Sequence, residues 1–404
     1  MNFAEGYPGL VRDRGWKEPE FFDLGTRTGR KDLQLALNAG LVRGVADPMD
    51  IFVENLCDYE HPGTTGNSAE CDSYCTEARK QGDGFGKWVL FPWSGNLVHY
   101  PDKEDHQKLR TARNRDLITS EEQNKLLGKT VAVFGLSVGS NAVDAMLRSG
   151  IGGKYVIGDM DVLEPPNLNR INATYEQLGL SKVDILAQRI SEVDPYIDQV
   201  HFRHGYSTDV KKRLTTESPD IIIEEVDNMT VMALLRIFAR EHGVPLVSGT
   251  DIDLRSIIDI ERYDRNGTRM FNGRLTDKDI RKLLQHDTAG DVNTEREKEP
   301  GAEDKVDDTT ALMIKHLGLT NISLRMIRSS IGRHDLGDAF PQLGTTATMT
   351  GALVAVAARE ILLGKDLKSG RYVENPRKTL ALQREHNVRQ VTTTLASLMR
   401  YMRR

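Results

Sequence analysis

Cysteine is scarce in this chain. Only Cys57, Cys71 and Cys75 occur among 404 residues, and none follows position 75. So small and odd a number argues against a disulfide-built scaffold and predicts a reducing, cytoplasmic setting. Paired C-x-x-C motifs are missing. Cys71 and Cys75, spaced C-x₃-C with His61 nearby, read as plain loop cysteines with only a faint metal-site pattern. Long apolar runs are missing too: no stretch approaches the 18 or more residues of a membrane span. The first residues, "MNFAEGYPGLVRDRGW", lack the basic-then-apolar pattern of a signal peptide. Excess positive charge is absent. A formal charge of −5 argues against a dedicated nucleic-acid binder. No internal repeat is visible.

The sequence does have enough apolar residues, 39% of the total, for a sizeable core in one large domain or two to three ordinary ones. Residues 1–110 read as an accessory domain. Within it, "KDLQLALNAGLV" and "DPMDIFVENLCDY" carry helical spacing, and the polar "ECDSYCTEARKQGDGFG" reads as a loop. "KWVLFPWSGNLVHY" reads as two short strands around a turn, its tryptophans as core anchors. From residue 129 strands and helices alternate regularly: "KTVAVFG", "SNAVDAMLRSG", "KYVIGD", "SKVDILAQRISEV", "QVHFRHG", "DIIIEEV", "MTVMALLRIFAREHG" and "VPLVSGT". Such alternation predicts an α/β fold with a doubly wound, mostly parallel Rossmann-like sheet. "RSIIDIERYDR" adds an antiparallel element. The charged stretch 262–308 reads as a solvated excursion or a substrate lid, and "DDTTALMIKHLGLTNISLRMI" and "TTATMTGALVAVAAREILLG" as helices. "TTTLASLMRYMRR" reads as a basic amphipathic tail helix inside a 376–404 extension.

Candidate chemistry gathers where the first strand turns. Gly135 and Gly139 in "GLSVGS" allow a tight turn whose backbone approaches a phosphate at a helix N-terminus. The loop is neither a full G-x-G-x-x-G, since Ser137 stands where a glycine is usual, nor a Walker A loop. Asp159 lies twenty-four residues after Gly135 at the end of the second strand, where an acid accepts from ribose hydroxyls. Asp161, Asn167 and Arg170 follow in "GDMDVLEPPNLNR". Lys182 opens the next helix, and Asp227 with Asn228 ends the fourth strand. In an open parallel sheet, strand C-termini line one crevice. Arg170, Lys182 and a carboxylate there suit a triphosphate and Mg²⁺; hydride transfer needs none of them.

The block 131–195 resembles the adenylation domain of the ThiF/MoeB/E1 superfamily. The likeness runs from about Arg113 to Gly364, within a 111–375 adenylation domain. The D-x-D…N-L-x-R block, the later G-x-x-K, the x-D-N and "VPLVSG" carry it. The resemblance implies binding of ATP and Mg²⁺ and activation of a carboxylate as an acyl-adenylate with release of pyrophosphate. Asp159 would take the ribose, Asn167, Arg170 and Lys182 the phosphates, and Asp227 the metal. It also implies a homodimer in which Arg113 or Arg115 reaches the partner's nucleotide. The glycine loop is one residue shorter than the family's, and the catalytic cysteine of some members has no candidate here. Handing on a ubiquitin-like protein by thioester is therefore disfavoured, and direct attack on the adenylate is favoured. A peptide or small-protein substrate is preferred over tRNA, because an extra block precedes the adenylation domain as in peptide-modifying members. Other readings left open are a tRNA-modifying dehydratase or cyclase, a non-catalytic nucleotide-binding partner subunit, and an NAD- or FAD-dependent oxidoreductase.

Overall fold

The computed structural model describes residues 13–60, 69–285, 308–331 and 341–382. Of the stretch 262–308, residues 286–307 lie outside the described residues, as do the basic tail helix and His61. The described part is not a solvated excursion, because Tyr263, Met270, Phe271, Leu275, Ile280 and Leu283 are buried in the core. The chain divides into two compact units. One comprises residues 1–127, 147–153 and 184–198; the other comprises 128–146, 154–183 and 199–404.

The first unit holds a four-stranded sheet ordered β1-β3-β4-β2, from β1 (Glu20–Phe22), β2 (Gly44–Ala46), β3 (Lys87–Phe91) and β4 (Asn96–Tyr100). β3 and β4 form the expected hairpin. Helix Arg27–Asn38 starts at Thr26, whose hydroxyl accepts from the Gly29 amide at 3.0 Å, a standard N-cap. Ala36 of that helix packs with Phe22, Trp88, Leu90 and Leu97. Trp88 and Trp93 are buried, as anchors should be. His99 is structural: it stacks on Trp88 at 4.4 Å, and its Nδ1 lies 2.9 Å from Asp47.

Two expectations fail here. The polar stretch taken for a loop is helix Ala69–Gln81. Its Ala, Glu, Arg, Lys and Gln are all strong helix formers, and Ala78 is buried beside Met49 and Val53 of helix Met49–Glu60. Cys71 and Cys75, read as loop cysteines, lie in helix Ala69–Gln81, whereas Cys57 falls in a segment whose helical spacing is borne out. Cys57 is buried in helix Met49–Glu60 and disulfide-bonded, while Cys75 carries a free thiol.

The second unit is the predicted doubly wound sheet. Its strands are β5 (Thr130–Phe134), β6 (Lys154–Gly158), β7 (Asp198–Phe202), β8 (Ile221–Glu224), β9 (Leu246–Ile252), β10 (Arg255–Glu261) and β11 (Gly370–Glu374), ordered β11-β10-β9-β8-β5-β6-β7. β5 pairs in parallel with β6 and β8, and β8 with β9. β10 runs antiparallel to β9, the added element the sequence shows. β5, β6, β8 and the start of β9 are apolar at nearly every position, as strands covered on both faces must be. From β5 the chain winds outward through β6 and β7, then crosses back to β8. The order therefore reverses between β5 and β8, where open α/β sheets leave a crevice at their C-terminal edge.

Candidate functional site: a charged cleft at the strand switch

The cleft begins at Gly135, directly after β5. Its φ is +84°, and a Cβ there would lie 2.3 Å from the Glu225 carbonyl. Glycine alone lets the loop pass this close to the end of β8. Gly139, buried, opens helix Gly139–Arg148, whose N-terminus favours an anion.

Asp159 ends β6 and holds the loop in shape. Its Oδ2 accepts from the Leu136 amide at 2.6 Å and its Oδ1 from the Asp161 amide at 2.8 Å. Each oxygen keeps a second lone pair for a hydroxyl. Burial raises the Asp159 carboxyl above its usual range, and the Lys182 charge and the two amides oppose that rise.

Lys182 opens helix Lys182–Val193 and is 7% exposed. Its Nζ lies 2.5 Å from Asp161 Oδ2, and its amide donates to the Asp161 carbonyl at 3.0 Å. Arg170 is half-buried. Its Nε donates to Ser137 Oγ at 2.7 Å, and Asn141 Nδ2 from the facing helix donates to its carbonyl at 2.9 Å. Burial lowers the Arg170 guanidinium, opposed by Asp251 and Asp227. Asp227 is reached by solvent but has protein on most sides. The resulting desolvation raises its carboxyl, and Lys182 and Arg170 pull it down. Asp227 thus lies within electrostatic reach of Asp159, Asp161, Arg170 and Lys182.

Two predicted contacts do other work in this state. Asn167 Oδ1 accepts from the Glu164 amide at 3.0 Å, capping the short turn Pro165–Asn169. Asn228 is the N-cap of helix Met229–His242 and accepts from Thr230 and Val231. Arg113 and Arg115 belong to the first unit; Arg115 lies over the Tyr59 ring at 5.2 Å.

The sequence reading missed two acids. Glu225 follows β8 directly and accepts from the Gly249 amide at 2.8 Å; burial, then the Glu224 charge, raises it well above the usual range. Asp251, in β9, is 9% exposed and is pushed up to about 6 by burial. Both line a cavity of 140 Å³ with Ser137, Asp227, His316 and Gln342. The available signal was position alone: "SGTDID" ends at the same edge as "EEVDN".

A glycine-turned loop at a helix N-terminus, a strand-end acid and two cations at a parallel-sheet switch define an α/β protein of the doubly wound class with a charged cleft at its C-terminal edge. The ThiF family model matches residues 111–394, and the chain belongs to the ThiF family. It is 32% identical over 286 residues to an uncharacterized protein of Mycobacterium tuberculosis, covering 70% of this chain and 37% of that protein. It is 29% identical over 183 residues to the tRNA threonylcarbamoyladenosine dehydratase of Bacillus subtilis, covering 43% and 72% respectively. To ubiquitin-like modifier-activating enzyme 5 of Drosophila willistoni it is 29% identical over 155 residues, covering 35% and 37%. The chain thus spans little more than a third of the length of two of these relatives. Among solved structures, E. coli MccB with ATP aligns over 81% of this chain and 86% of its own, at 13% identity and a TM-score of 0.43. E. coli TcdA with ATP aligns over 64% and 95%, at 18% identity and a TM-score of 0.43.

Proposed function

We propose that the protein binds ATP and adenylates a carboxylate, releasing pyrophosphate, and that a nucleophile then attacks the acyl-adenylate directly. The placing of Asp159, Arg170 and Lys182 within electrostatic reach of Asp227 beside the Gly135 loop carries this reading. Asp159 receives ribose hydroxyls. Arg170 and Lys182 face the charge that builds on the α-phosphate and on the departing pyrophosphate, where preorganised cations lower the barrier most. Asp227 fits Mg²⁺: it is solvent-reached, has no hydrogen-bond donor among the described residues and offers the single carboxylate that this ion commonly takes beside phosphates and waters. When bound, the metal neutralises phosphate charge. With no cysteine after Cys75, a thioester step within this unit has no nucleophile.

The carboxylate belongs, in this reading, to a peptide or small protein gripped with help from the first 110 residues, in a homodimer completed by Arg113 or Arg115. A tRNA-borne carboxylate is the second reading, favoured by the similarity to the B. subtilis tRNA-modifying enzyme. An ATP–pyrophosphate exchange assay against candidate peptides and tRNA tests both, with Asp227→Ala as control. Exchange with neither substrate, or exchange that survives Asp227→Ala, overturns the proposal.

A further inference from the structure

We propose that the cavity lined by Glu225, Asp251, Met313, His316, Met326 and Gln342 binds a primary ammonium group, that of the nucleophile which receives the activated acyl group. The inference rests on the adenylation reading and adds to it the class of acceptor.

Unpaired polar groups inside the protein carry the argument. Asp251 is nine-tenths buried, and among the described residues its Oδ2 has no hydrogen-bond partner. Its Oδ1 accepts from the Gln342 amide at a long 3.3 Å, and Asp251's own backbone amide is the other donor near the carboxylate among the described residues. A buried carboxylate left this unsatisfied is costly and calls for an explanation, of which a bound ligand or a catalytic role is one. Buried His316, on the same cavity, also has an unpartnered atom, Nδ1. Glu225 adds a second carboxyl, and Met313, Met326 and Leu317 supply apolar wall. Among the described residues no three His, Cys, Asp or Glu side chains converge as metal ligands do, so the set does not suit a divalent cation. It suits one compact cation on an aliphatic stem. Arriving there, an ammonium replaces Gln342 on Oδ1 and satisfies Oδ2.

The cavity also adjoins the reaction. Ser137, which holds Arg170, lines it, and Asp227 stands at its rim. An amine bound against Asp251 is therefore beside the place where the acyl-phosphate bond would lie. In transfer, Asp251 takes one ammonium proton and the freed lone pair forms the C–N bond to the acyl carbon. The C–O bond to AMP breaks, AMP leaves with that electron pair, and the second nitrogen proton passes to solvent.

The test uses the full chain with saturating ATP and Mg²⁺ and propylammonium chloride as probe. A four-heavy-atom ligand binds weakly, so about 20 mM is required. We expect its melting temperature to rise by about 1 °C or more over sodium chloride at equal ionic strength. Propan-1-ol should produce no such rise. In Asp251→Asn the response to propylammonium disappears while the rise produced by ATP persists. Met326→Trp, which fills the cavity and leaves the carboxylate, also abolishes it. Equal responses to propylammonium and propan-1-ol, or an unchanged response in Asp251→Asn, overturn the inference. A protein that responds to propylammonium but not to ATP sinks adenylation and leaves the pocket standing.

Discussion

Ser137 Oγ accepts a hydrogen bond from Arg170 Nε at 2.7 Å, joining the tip of the glycine loop to the cation that follows the D-x-D strand end. The serine that breaks the usual glycine pattern is thus a fixed point for the arginine. Asn141 adds a second hold through the Arg170 carbonyl. A guanidinium set in place before ligand arrives loses less rotamer freedom on binding.

Ser137→Ala removes that fixed point. A hydrogen bond to a charged group at a half-exposed site contributes about 1 kcal/mol, so ATP affinity should fall roughly fivefold with little change in melting temperature. Isothermal titration with ATP measures it. An unchanged Kd would mean that the serine does nothing for the arginine.

Lys182 is held by Asp161 at 2.5 Å, and a phosphate must compete with that carboxylate. Asp161→Asn frees the ammonium and lowers the negative charge facing ATP. ATP binding should tighten by about two- to fivefold, whereas Lys182→Ala should weaken it about tenfold or more. Titrations of both variants at one fixed salt concentration decide the matter. Weaker binding by Asp161→Asn would show instead that Asp161 is needed to aim the lysine.

Asp159 serves the loop as well as the ligand. Asp159→Ala leaves the Leu136 and Asp161 amides without their acceptor. At about 1–2 kcal/mol for each donor, stability should drop by about 2–4 kcal/mol, measured by chemical unfolding. Asp227→Ala, which removes no hydrogen bond within the described residues, should change stability little and act on catalysis alone. A similar loss in both variants would contradict the division of labour.

Much of this was readable in the sequence, and what was not has a physical cause. β5, β6, β8 and the start of β9 announce themselves as apolar, mostly β-branched runs spaced by helices, because parallel strands must be apolar on both faces. β1 and β2, three residues each, are too short to show a period. Helix Ala69–Gln81 is polar on nearly every side, so only intrinsic propensity marks it. Asp159, Lys182 and Asp227 could be named because they follow strand ends or open a helix at the edge the winding makes common. Asn167 and Asn228, read as ligands, also cap the turns they sit in through their Oδ1 atoms, because short amide side chains compete for nearby backbone. Asp251 stayed hidden because what makes it unusual comes from far along the chain. His316 and Gln342 help enclose it from 65 and 91 residues further on.

That enclosure has a consequence for stability against pH. Burial raises the folded-state pKa of Asp251 from 3.8 to about 6. Between those values the native state holds a proton that the unfolded chain has released, so this group's contribution falls as pH rises from about 4 to about 6. The shift corresponds to about 3 kcal/mol at most, and about 1–2 kcal/mol is a fair expectation once relaxation is allowed. Glu225, Asp227 and Asp159 are raised by burial too and act with the same sign, so the wild-type profile alone cannot single out Asp251. The difference between wild type and Asp251→Asn can. The variant has no carboxyl to ionise: it should match wild type near pH 4 and exceed it by about 1–2 kcal/mol above pH 7, followed by urea unfolding at each pH. A gap independent of pH would show that the Asp251 carboxylate is solvated or paired as well in the native state as in the unfolded chain.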